Sequence, residues 1–102
     1  MPQFIFAYHG EKMPEDPDEG AKLMARWQDW MAGLGDALVN PGHPVGKSTT
    51  VSASGVTNDG GPNPLSGFSL VQADDIDAAI EMAKGCPHID DGSIEIAETV
   101  EM

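Results

Sequence analysis

The last third of the chain is the segment that most narrows the possible folds. Gly67-Phe68-Ser69-Leu70-Val71 is a strand-like run, Asp74-Asp75-Ile76-Asp77-Ala78-Ala79-Ile80 opens a helix, Gly85-Cys86-Pro87-His88 stops it, and Ser93-Ile94-Glu95-Ile96 returns to strand alternation. Carboxylates in a first helical turn complement the unpaired amides and the dipole there, and a glycine followed by a proline ends a helix. With no filler between the pieces, the segment forms one strand-helix-strand unit.

The start of the chain predicts a second unit of the same kind. Phe4-Ile5-Phe6-Ala7-Tyr8 is apolar at every position, so a strand here presents Phe4, Phe6 and Tyr8 to one face and Ile5 and Ala7 to the other. Two helices cover only one face of a small sheet. The other face then calls for a partner, and face-to-face packing of two sheets in a homodimer meets that need. After the loop that begins at His9-Gly10, Asp16 is placed to cap a helix, Pro17 to occupy its first position and Glu19 to complete a capping box. Leu23, Trp27, Trp30, Met31 and Leu34 follow in three- and four-residue steps, and Gly33 and Gly35 supply the stop.

Between the two units the pattern is weaker. Ala37-Leu38-Val39 and Lys47 to Ala53 suggest one bent edge strand, broken at Asn40-Pro41-Gly42-His43-Pro44, and Gly55 to Ser66 is rich in turn residues throughout. The whole order is β-α-β-β-α-β. The predicted fold class is therefore α+β, ferredoxin-like, with a four-stranded antiparallel sheet, in one domain over residues 1-102.

Charge and composition exclude several classes of function. With 17 acidic and 5 basic residues, the formal charge of -12 opposes nucleic acid binding, which relies on Lys and Arg at phosphates, and it opposes anionic membrane surfaces. At 102 residues the chain builds one modest core, so burial through self-association would help it. The lone cysteine, Cys86, has no partner for an intrachain disulfide, and Met1-Pro2-Gln3 leads straight into a strand; both features predict a cytoplasmic protein. No apolar run reaches the roughly 20 residues of a membrane span.

Several stretches together resemble a family. Phe4 to Tyr8, Trp27, Ser66-Gly67-Phe68-Ser69-Leu70-Val71, Asp74 to Asp77, Gly85-Cys86-Pro87 and Gly92-Ser93-Ile94-Glu95-Ile96 are similar to small YCII-related (DGPF-type) proteins across nearly the whole chain. The resemblance implies a dimeric α+β barrel, in which two ferredoxin-like sheets pack face to face and each subunit keeps a cleft between sheet and helices. The DGPF tetrapeptide itself is absent, its place taken by Asp59-Gly60-Gly61-Pro62-Asn63-Pro64-Leu65. The His-Asp pair proposed for the YciI branch is absent too: the first helix has no His, and Cys86-Pro87 stands where that branch has Asp-Pro.

Candidate chemistry then falls to the histidines. His88 precedes Asp90 and Asp91 closely enough for a His-carboxylate pair to move a proton, against the blander reading that it caps helix carbonyls. Strands one and four run antiparallel in this fold, so His9 is expected beside the His88 to Ser93 segment. His9, His43 and His88 lack the close spacing of a metal site, so no metal and no cofactor is expected. Cys86, near the negative end of a helix dipole, is expected to be buried and inert. Gly60-Gly61 runs into proline instead of opening a helix, so it is no phosphate loop.

Two functions stay open on these grounds. One is a small-molecule-binding homodimer whose cleft is walled by Tyr8, Trp27, Trp30, Met31 and His43. The other is a cofactor-free enzyme, oxygenase- or lyase-like, in which His88 or His9 handles a proton. For Trp27 and Trp30 the plain alternative is a place in the core or a subunit contact.

Overall fold

The structure is a computed structural model, and it describes residues 1-10, 16-61, 63-90 and 92-100. Its elements are β1 (Gln3–His9), α1 (Pro17–Leu34), β2 (Leu38–Asn40), β3 (Thr50–Ser52), β4 (Gly55–Thr57), β5 (Leu65–Gln72), α2 (Ile76–Lys84) and β6 (Ser93–Glu98). Short 3-10 turns at Gly35–Ala37 and Pro87–Asp90 follow the two helices. Strands β2, β5, β1 and β6 form one four-stranded sheet in that order, and every neighbouring pair is antiparallel. This is the ferredoxin-like α+β arrangement that the element order predicts.

Local chemistry explains both helices. Asp16 accepts a hydrogen bond from the Asp18 amide (2.9 Å), Pro17 takes the first helical position, and Gly35 ends α1 at φ 55°, a conformation open to glycine. The expected reciprocal bond from Glu19 is replaced by a long surface contact to Lys22 at 3.9 Å. In α2, Asp75 accepts from the Ala78 amide at 2.9 Å.

The core lies on one face of the sheet. Phe4, Phe6 and Val71 are fully buried, and Ala73, Ala79, Ala83 and Cys86 close over them from α2 and its flanks. Burying side chains of the Phe and Val size contributes about 1.5–3 kcal/mol each. Among the described residues no element covers the opposite face. Ile5, 39% exposed, lies between Leu70 and Ala97 in register, and Ala7 lies between Phe68 and Glu95.

The middle of the chain differs from the expected bent edge strand. Residues 41–45 do run beside β5, through a Pro44-Gly67 bridge and a Val45 N to Ser66 O bond of 3.0 Å. Beyond them the chain leaves the sheet: Thr50–Ser52 pairs with Gly55–Thr57 in a separate exposed hairpin. The Ser52-to-Gly55 turn is tight enough for Val51 and Val56 to pair across it, so Gly55-Val56-Thr57 is strand where turn was expected.

Candidate functional site

A cleft of about 280 Å³ lies between α1 and the β5 side of the sheet. One wall is a single stripe of α1, in which Gly20, Leu23, Trp27 and Met31 recur at helical spacing. The facing wall is Pro41 to Pro44 together with Ser66 to Ser69, and Tyr8 closes the inner end.

Hydrogen bonds hold the facing wall in place. The Tyr8 hydroxyl donates to Ser69 Oγ (2.8 Å), and Ser69, fully buried, donates in turn to the Pro41 carbonyl (2.8 Å). Asn40 Oδ1 accepts from the Gly42 amide at 2.8 Å, and the Phe68 amide donates to the His43 carbonyl at 3.3 Å. Gly42, at φ 69°, is needed here, because a Cβ would overlap the Phe68 carbonyl oxygen. Burial pushes the Tyr8 phenol well above its ordinary pKa; the Ser69 hydrogen bond opposes that shift, and Cys86 adds to it.

The structure brings together most of the residues singled out as cleft walls. Tyr8, Trp27, Met31 and His43 all line the cleft, with His43 exposed beside Phe68. Trp30 does not. Its ring packs on Phe6 (6.3 Å between centroids) and its indole donates to the Met82 carbonyl (2.9 Å), so it is the anchor between α1 and α2.

His88 is only 2% exposed and lies against Tyr8 and Trp27, with ring centroids 5.2 and 6.2 Å away. Its Nε2 meets the His9 carbonyl at 2.8 Å. A carbonyl only accepts, so Nε2 carries a proton, and Nδ1 is buried and without a hydrogen-bond partner among the described residues. Helix carbonyls are not its partners, in contrast to the capping alternative. Nor is Asp90, whose carboxylate is held by Arg26 at 2.6 Å; Asp91 lies outside the described residues.

His9 does fall beside the His88 to Ser93 segment, but its contact with His88 runs through its backbone. Its ring is fixed elsewhere. Nε2 faces Glu95 Oε1 at 3.1 Å and Nδ1 faces the carbonyls of Asn63 and Pro64 at 3.0 and 3.3 Å. Among the described residues no three His, Cys, Asp or Glu side chains converge as a metal site would require. None of the described helices is long and apolar enough to cross a membrane.

Sequence reasoning missed Gly20, Leu23 as a cleft residue, and the Ser66–Ser69 wall. Only an isolated glycine inside an amphipathic helix offered a signal.

With the sheet order and the cleft described, the comparison that decides kinship is a family model. The YCII-related domain matches residues 1–102, the whole chain. The protein belongs to the YCII-related family. A comparison with curated protein sequences gives no match. For this YCII-related chain the sheet agrees with the α+β barrel fold, and the His-Asp pair of the YciI branch has no counterpart among the described cleft residues; Tyr8 and Trp27 line the cleft, and the buried His88 lies against both without lining it.

Proposed function

We propose that this YCII-related protein binds a small molecule in the cleft between α1 and the sheet, and that it works as a homodimer. The observation that carries the first part is a pre-built apolar cavity: its volume is about 280 Å³ and its facing wall is held by the Tyr8-Ser69-Pro41 chain of hydrogen bonds. That size lies near the lower end of small-molecule sites, ~300 Å³. Support for the dimer is the open sheet face, where Ile5, Ala7, Leu70 and Ala97 make a continuous apolar surface with no covering element from the described residues.

Two measurements test this. A thermal-shift panel of small organic compounds should contain members that raise Tm, since a ligand at a hundred times its Kd adds about 2.7 kcal/mol; a panel that moves neither Tm nor tryptophan emission contradicts the reading. Sedimentation should give a dimer for the wild type and a monomer for Leu70→Glu. A wild-type monomer at micromolar concentration contradicts the second part.

A second reading is favoured by one observation, the unpaired Nδ1 of His88. In that reading the protein is a cofactor-free enzyme, His88 accepts a proton from a substrate in the cleft, and Trp27 or Tyr8 moves to admit it. Turnover of any cleft ligand should then fall by about 10²–10⁴ in His88→Gln. Undiminished turnover in that variant removes His88 from the chemistry.

A further inference from the structure

We propose that the cleft takes a neutral, largely apolar molecule of one or two rings, and that Gly20 is the residue that sets its size. This rests on the reading of the cleft as a ligand site.

Charge carries the first half. Although 22% of the chain is Asp, Glu, Lys or Arg, none of these among the described residues lines the cleft. On α1 the charged residues Asp18, Glu19, Lys22, Arg26 and Asp29 all fall off the stripe that faces it. A charged ligand entering here would lose its hydration and find no counter-ion. Inside, the Tyr8 and Ser69 hydroxyls are already committed to each other and to Pro41. Polar contact is left to the Ser66 hydroxyl, buried and without a hydrogen-bond partner among the described residues, and to Gln28 and His43, both exposed at the rim, so the ligand carries at most neutral polar groups at these points. The volume sets the scale: about 280 Å³ compares with the ~150 Å³ cavity that accepts benzene.

Gly20 carries the second half. It is the fourth residue of α1, its amide bonds to the Asp16 carbonyl at 3.0 Å, and its φ is not positive, so the backbone accepts any L-residue. Among the described residues no atom lies within 4 Å of a Cβ built there. Neither conformation nor packing calls for glycine, and glycine costs up to about 1 kcal/mol against alanine in a helix. Gly42 and Gly67 in the same cleft are different, because each has close neighbours that a side chain would meet. What the missing side chain at Gly20 does is leave the cleft open.

The test is calorimetric titration of the full chain with naphthol, naphthoate and naphthylmethylammonium. Naphthol should bind at least about tenfold tighter than the two ions. In Gly20→Phe its affinity should fall by about tenfold or more with Tm not lowered. Gly20→Ala should keep or raise Tm and bind less tightly than wild type. An ion that binds as well as naphthol overturns the neutral class while leaving the cleft as a site. Full naphthol affinity in Gly20→Phe, or a lowered Tm in Gly20→Ala, overturns the role of Gly20. If none of the three probes binds wild type, the cleft reading fails together with the inference.

Discussion

The two helices cover the same sheet face in opposite ways. Under α2 the contact is close: Ala79 and Ala83 are buried, Cys86 and Ala73 fill the flanks, and small side chains let the backbone approach Phe4 and Phe6. Under α1 no residue of its 18 is fully buried, and the large side chains Leu23, Trp27 and Met31 border a cavity instead of filling one. Trp30 marks the boundary, tied to Met82 on the packed side, one turn from Trp27 on the open side. Close packing is the default of protein interiors, so a standing void beside a completed core supports the proposal that this half of the molecule serves binding instead of stability.

The sharpest way to break this contrast is at the wall of the open side. Gly42→Ala combines a positive φ with an overlap on the Phe68 carbonyl, and the expected loss is on the order of 3 kcal/mol by urea unfolding. A loss under about 0.5 kcal/mol would mean that the wall gives way and is not pre-built.

Next in size is a matched pair of enlargements. Ala79→Leu pushes volume into the packed side and should cost about 2 kcal/mol, whereas Leu23→Phe adds volume on the cleft side and should cost less than about 0.5 kcal/mol. Equal costs would erase the difference between the halves.

The smallest effect is at Tyr8, which belongs to both halves. Tyr8→Phe removes one buried hydroxyl bond and should cost about 1 kcal/mol at neutral pH. Because burial raises the folded phenol above its unfolded value of about 10, this contribution is complete below that pH and falls as pH climbs from there toward the folded value. The gap between wild type and Tyr8→Phe should therefore narrow in alkali. Tyr8 is the one tyrosine, so ultraviolet absorbance reports its ionisation directly, and it should begin only above the range of free tyrosine.

Much of the fold was legible because its signals are local. Asp16-Pro17, Asp75 and Gly35 cap where they stand, and the alternation of Phe4, Phe6 and Tyr8 against Ile5 and Ala7 names the two faces of β1 without reference to the rest of the chain. His9 could be placed beside the His88 to Ser93 segment because antiparallel pairing of the first and last strands requires it. What failed depended on where distant segments meet. Trp27 and Trp30 share one helical face in sequence terms, and only the position of α2 assigns one to the cleft and the other to the core. The hairpin at 50–57 was hidden because Gly55 and Thr57 serve turns as well as strands. The Ser66–Ser69 wall carries no motif, and it becomes a wall only where residues 41–44 run beside it.

The most direct measurement is a nitrogen-proton correlation spectrum of the labelled protein titrated with naphthol, because the chain has two tryptophans and so gives two indole signals. The Trp27 indole and the amides of Gly20, Leu23 and Gly42 should shift, while the Trp30 indole, held by Met82, and the amides of Ala79 and Ala83 stay in place. Shifts centred on Trp30 and α2, or no shift at all, would contradict the assignment of binding to the α1 side of the sheet.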